Sequence, residues 1–378
     1  MLDFLSRLLK PLTLLLVLIN LSIAPVYADK IKVAFINPSH QEDPFWSLMT
    51  KLMASAAADL NIQLTVHYSD RNRFNSLSLA EQIVTSSNKP DYLVFHFQAQ
   101  VGEKMLEAAE KAEVHSLVFN TKAAASERLR IGEPRAKFKF WLGHLVPDDY
   151  QAGKLLAQAL ITQWRSRESN LKQDTIRMIG LTGTFDNAAT IEREAGLKAL
   201  IAQQQDVILQ QVVSAEWNKQ KAVQVTEVLL SRYPETQLVW CASDLMALGA
   251  IEAIEALGRK PGVDILIGGV DGVDIGLDAV QSGKLAATVS GHFIEAAWAM
   301  VLIFEHFQGR DLFKEYGPVF HSAMFLVDAE NVDKVQSRIN LDYFNQIDFN
   351  DFSGSSNSAS KRTPLLLPER VLSSIGGS

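Results

Sequence analysis

The sequence predicts an α/β protein built as two doubly wound parallel-sheet lobes. From Lys30 to about Asn340, short aliphatic runs alternate with amphipathic helical stretches, the pattern of strands covered on both faces and joined by crossover helices. The runs are too many for one small sheet, and they fall into two groups separated by the long helical stretch 148–167. At 378 residues, 47% hydrophobic and 21% charged, the chain is too long for one core of usual size and comfortable for two.

Taken in chain order, the first 28 residues read as a secretory signal. Arg7 and Lys10 give a cationic start, and an apolar run from Leu12 to Ile23 is broken only by Thr13, Asn20 and Ser22. Val26-Tyr27-Ala28 then offers small residues to a signal peptidase, so cleavage is expected after Ala28, with export to the periplasm. A membrane anchor is the alternative, but the uninterrupted stretch is shorter than the ~20 residues a span needs. The buried-strand candidates follow: Ile31–Ile36, Tyr92–Phe97, Ser116–Phe119, Ile176–Leu181, Val207–Val213, Leu238–Cys241, Ile265–Gly268 and Ala286–Val289. A helical stripe runs over Phe45–Leu60, with Asp43 suited to cap it and Pro44 to its first turn. After Asn340 the periodicity fails. Residues 352–378, almost all small and polar at Ser353–Ser360, are expected to form a flexible tail.

Composition excludes several classes. Net charge is −7 with no basic stripe, which argues against nucleic acid as a partner. Cys241 is the only cysteine, so no internal disulfide can form, and its apolar surroundings suit a core residue. The histidines show no metal-ligand spacing, and neither a Gly-x-Ser-x-Gly elbow nor a Walker-type loop appears. Gly180-Leu181-Thr182-Gly183 precedes a helix, but four residues do not make an anion site. No enzyme, metal or cofactor is expected.

Five segments then point to a family. Asp43-Pro44-Phe45-Trp46 follows the first strand; Ile191-Glu192-Arg193-Glu194-Ala195-Gly196-Leu197 opens a helix; Ser243-Asp244-Leu245-Met246-Ala247-Leu248-Gly249-Ala250 opens another. Gly268-Gly269-Val270-Asp271-Gly272 ends a strand, and Gly283–Val289 leads into the next. In this order the chain resembles, over roughly residues 31–330, the type I periplasmic binding proteins of the ribose-binding class, a fold shared with sugar-responsive repressor effector domains. The resemblance implies a three-segment hinge, with crossings near 143–146, 290–292 and 322–325. It implies one lobe of residues 29–143 and 292–322 and another of 144–291 and 323–340. A monomer would bind a sugar or sugar-like ligand by hinge closure and deliver it to an inner-membrane permease of the ABC type. The first-lobe segment Leu117–Thr121 and the single Trp46 are somewhat closer to the quorum-sensing receptor for a furanose-derived autoinducer. That likeness implies the alternative partner, a membrane sensor kinase or cyclase.

A sugar presents hydroxyls in a fixed array and apolar C–H faces, so its site needs paired donors and acceptors with an aromatic wall. Trp46 and Trp217 are the candidate walls, the alternative for each being an ordinary core aromatic. Arg193 is the candidate guanidinium donor, or else a surface ion pair; Asp271 is the candidate acceptor, or else a turn former beside Gly272. Asp43, Phe45, His96, Asn120, Ser243 and His292 complete the set. Of these, His96 and His292 could equally be satisfied core histidines. The resemblance is not complete. Asn120-Thr121 stands where the ribose-binding pattern has an Asp-Arg pair, Asp43 and Ser243 each replace an Asn, and Gly291-His292 replaces a Gln. Loss of the bidentate pair argues against simple ribose recognition.

Overall fold

The computed structural model describes residues 30–167 and 175–353; the expected signal segment, its cleavage point and the tail from 354 onward lie outside them. The chain runs β1 (Ile31–Asn37), α1 (Pro44–Asp59), β2 (Ile62–Tyr68), α2 (Arg73–Thr85), β3 (Tyr92–Phe95), α3 (Gly102–Lys111), β4 (His115–Phe119), α4 (Ala125–Ile131) and β5 (Trp141–Pro147). It continues through α5 (Asp149–Arg165), β6 (Ile176–Thr182), α6 (Ala188–Ile201), β7 (Val207–Ser214), α7 (Lys219–Arg232), β8 (Leu238–Cys241), α8 (Asp244–Ala256), β9 (Leu266–Asp271), α9 (Asp274–Gln281) and β10 (Ala287–Ser290). The last elements are α10 (Glu295–Phe307), α11 (Leu312–Tyr316), β11 (Val319–Ser322), β12 (Phe325–Asp328), α12 (Val332–Gln336) and α13 (Leu341–Phe344).

Two six-stranded sheets result, ordered β11-β5-β4-β3-β1-β2 and β12-β10-β9-β8-β6-β7. The strand order is the same in both, although no strong sequence repeat links the halves. All pairings are parallel except the edge pair β10–β12. Central strands are buried on both faces, as their continuous aliphatic runs require: β3, β8 and β9 have no exposed residue. Each sheet reverses its winding beside its first strand, β1 or β6, and an open α/β sheet leaves a crevice there beyond the carboxyl ends.

Local chemistry fixes the helices that meet this crevice. Asp43 caps α1 by accepting from Trp46 N at 3.1 Å, and Pro44 occupies the first helical position, where a missing N–H costs nothing. Asp148, Asn187, Asn218 and Ser243 cap α5, α6, α7 and α8 in the same way. Gly153 lets α5 lie close on α6, since a Cβ there would stand 1.9 Å from the Arg193 carbonyl oxygen. That close approach brings the two helix starts, and the charged residues on them, together.

The sheets belong to different lobes, so the chain crosses between them. The first crossing follows Pro147: His144–Pro147 pair with β11 in the first sheet, so it lies just beyond the expected 143–146. The second is at Gly291, with φ +129°, ahead of a 3-10 turn at His292–Ile294; the third lies between Ser322 and Phe325. A fourth was not expected. After α12 in the second lobe, α13 and a 3-10 turn at Phe349–Phe352 pack under α1 and α10 of the first. Phe344 stacks on Phe293, Phe352 meets Trp298 edge to face, and Asn350 Nδ2 donates to the Asp59 carbonyl at 3.1 Å. Phe352 and the buried Ser353 therefore belong to the fold, and no tail begins at 352.

Candidate ligand site

The ten residues singled out from the sequence line one cavity of about 650 Å³ between the lobes. Trp46, Phe45 and Asp43 come from the turn after β1, His96 from the end of β3 and Asn120 from the end of β4. Across from them are Arg193 on α6, Trp217 ahead of α7, Ser243 ahead of α8 and Asp271 at the end of β9. His292 enters from the second crossing.

Arg193 is buried, not a surface ion pair. Its Nε donates to Asp149 Oδ1 at 2.6 Å, its Nη1 donates to the Ala242 carbonyl at 2.7 Å, and Asp271 Oδ1 lies 3.7 Å away. Its guanidinium also sits over the Trp217 ring, 5.8 Å from the centroid. Burial alone would lower the Arg193 pKa, but Asp149 and Asp271 more than reverse this. Burial pushes both acids up, with Arg193 opposing it. Asp271 sits at φ +135°, strained for a side chain with a Cβ. Its loop is held from beneath by Asp244, whose carboxylate accepts from Gly272 N, Val273 N and Thr288 Oγ1 at 2.8, 3.2 and 2.6 Å.

Two candidates are already committed to the fold. Ser243 Oγ caps α8 by accepting from Met246 N, and the Asp43 carboxylate caps α1 while accepting from Ser39 and Arg71. The histidines are different. Burial lowers His96 and His292 to about 3, so each is neutral near pH 7, and neither has a partner on Nδ1. His292 stacks on Phe45 with centroids 4.7 Å apart and sets Nε2 3.4 Å from Asp271. Gln98 Oε1 and Asn120 Nδ2 are likewise buried without a partner. Trp46 is both wall and packing residue, meeting Phe35, Phe119 and His96. Trp217, at φ +57°, is seated over Gly183, where a Cβ would fall 1.9 Å from the indole.

Sequence reasoning missed the residues that hold these in place. Asp149 is the partner of Arg193; Arg71 bonds Asp43 and reaches across to the Trp217 carbonyl at 3.0 Å. Arg73–Asp186 and Lys122–Glu192, each at 2.6 Å, also join the lobes. Around the cavity every acid faces a base: Asp43 with Arg71, Asp186 with Arg73, Glu216 with Lys221, and Asp271 with Arg193. Among the described residues no group of three or more His, Cys, Asp or Glu could hold a metal. No helix among them is long and apolar enough to cross a membrane.

Two lobes of like strand order, with a crevice at their carboxyl ends, agree with the family that the sequence resembles. Residues 33–311 match the model of the periplasmic binding protein domain. The chain belongs to that family. The family binds solutes and is not enzymatic. Over 150 residues, 39% of this chain and 47% of the relative, it is 33% identical to the ribose import binding protein of Haemophilus influenzae. Over 146 residues, 39% of this chain and 44% of the relative, it is 34% identical to that of Bacillus subtilis. The match thus spans about half the length of these curated relatives. A crystal structure of a periplasmic sugar-binding protein from Pseudomonas fluorescens superposes with a TM-score of 0.80 and 29% identity, covering 90% of this chain and 99% of that one.

Proposed function

We propose that the protein binds one neutral sugar between its lobes in the periplasm, as a monomer, and presents the closed form to an ABC-type importer. The observation that carries this reading is the cavity's chemistry: two indole walls, neutral histidines, an amide and a buried Arg–Asp pair, with each lining acid matched by a base. Such a site suits hydroxyls and C–H faces and repels neither, whereas an anionic or cationic ligand would leave a charge unmatched in a desolvated cleft. The likeness to a periplasmic sugar-binding protein over most of the chain supports the sugar, and the ribose import relatives support the importer. Asn120 and Thr121, at the place of the ribose-class Asp-Arg pair, make ribose itself the less favoured pentose. The signal segment at 1–28, cut after Ala28, supplies the route to the periplasm.

Native mass spectrometry of freshly purified, exported protein tests this reading directly. A single copy carrying one neutral hexose- or pentose-sized mass is expected; a charged metabolite in its place, or a dimer, would sink it. Sequencing the exported chain should find Asp29 first, and an intact Met1 would refute cleavage after Ala28.

A further inference from the structure

Glu295 is a buried acid outside the lining of the cavity. It opens α10 four residues after the second crossing at Gly291, and it is fully shielded from solvent. Its Oε1 accepts the hydroxyl of Ser322, the last residue of β11 and the first of the third crossing. The Ser322 carbonyl in turn accepts from Asp148 N at 3.2 Å, on the first crossing, one residue before the partner of Arg193. One side chain therefore connects the first three of the four crossings. Burial pushes its carboxyl well above the usual range, with Asp149 adding to the rise and Ser322, Asn120 and Arg193 opposing it. The Asn120 amide is near enough to act on Glu295, yet Asn120 Nδ2 and Glu295 Oε2 each complete no hydrogen bond. Two buried polar atoms thus stand unpaired at the junction of the cleft and the hinge, where pairing them is worth more than it would be at the surface.

We propose that Glu295 is a positioning residue that locks the three crossings to one another through Ser322 and couples them, through Asn120, to occupancy of the cleft. The coupling rests on the cleft being the solute site; the lock on the crossings does not. An amide matches a carboxyl in size and its oxygen can still accept from Ser322, so glutamine serves the lock and alanine breaks it.

The test uses the full-length, ligand-free protein first. Small-angle scattering and hydrogen exchange at residues 148–149, 290–292 and 322–325 read the hinge without any sugar. Glu295→Gln should match the parent. Glu295→Ala and the milder Ser322→Ala should raise the radius of gyration and speed exchange at all three crossings together. Unchanged scattering, or faster exchange only beside the substituted residue, overturns the proposal. If Glu295→Ala does not fold, Ser322→Ala decides. Calorimetry with D-ribose and L-arabinose as probes then reads the coupling, where Glu295→Ala should weaken binding about tenfold, the loss of one buried hydrogen bond. If Glu295→Ala binds as the parent does, the coupling falls. If neither probe binds the parent and no sugar co-purifies with it, the solute reading fails while scattering and exchange still decide the lock.

Discussion

The two walls of the cleft are built on different principles. On the second lobe, Arg193 is already bonded to Asp149 and Ala242, Asp271 is held on a loop anchored by Asp244, and Trp217 is seated over Gly183. On the first lobe, His96, Gln98 and Asn120 bring buried polar atoms to the same cavity with no partner in the protein. Both walls rise from the same strand order at the same topological position. The difference teaches that fold symmetry places residues without dividing their labour equally. The second wall is preorganised and resists rearrangement, while the first is where a bound molecule has most to gain by supplying the missing hydrogen bonds.

The largest effect should come from Arg193→Ala, which strands Asp149 and Asp271 in the interior. Breaking a buried pair by removing one partner costs about 3–5 kcal/mol of stability, so a thermal melt should show a large drop, along with a loss of sugar binding. Recovery of much of that drop in Arg193→Leu/Asp149→Asn would locate the cost in the stranded charge; no recovery would put it in packing.

Asn120→Gly is the matching test of the first wall. Asn120 sits at φ +63°, which glycine adopts without strain, so this change removes the amide alone. Affinity measured by calorimetry should fall by about 1–3 kcal/mol while the melting temperature moves little. A large loss of stability would make the two walls alike and break the comparison.

Next in size is a pH effect at the junction of the walls. The folded-state pKa of Glu295 is raised, chiefly by burial and also by Asp149. The unfolded chain therefore ionises first, and stability is full below the ordinary glutamate value and falls as pH rises toward the folded one. Melts of Glu295→Gln against the parent should show the difference growing in favour of the variant from about pH 4.5 upward. A constant difference across that range would mean that folding does not raise the Glu295 pKa. The smallest effect belongs to the exposed bridge between the lobes: Arg73→Ala should cost no more than about 1 kcal/mol, and the cost should shrink in high salt.

Much of this was legible in the sequence, and the gaps have physical causes. The central strands announced themselves as continuous aliphatic runs. The edge strand β2 did not, because Ile62–Tyr68 alternates polar and apolar residues in keeping with its half-exposed setting. The turn that carries Arg71 follows β2 and is no more visible than that strand. The crossing that the resemblance implies near 143–146 falls inside strand β5, whose aliphatic run Gly143 and His144 interrupt. The ten cavity residues stood out as strand-end and helix-start types within familiar segments. Their supports did not, since Asp149 meets Arg193 across 44 residues and Glu295 meets Ser322 across 27, separations that carry no local pattern.

The fourth crossing changes how the molecule can move. Three parallel ribbons at a hinge limit the direction of rotation but leave its extent to the ribbons' own softness. A further segment, following them in the chain, acts as a leash of set length. Residues 337–340, drawn out fully, reach only about 14 Å. Any wider swing would have to lift Phe344 and Phe349 from beneath α1, exposing buried aromatic surface at about 1.5–3 kcal/mol for each side chain. The helix that would lose this support is the one whose first turn carries Phe45 and Trp46, so the range of opening and the shape of the ligand wall are set by the same few aromatic rings.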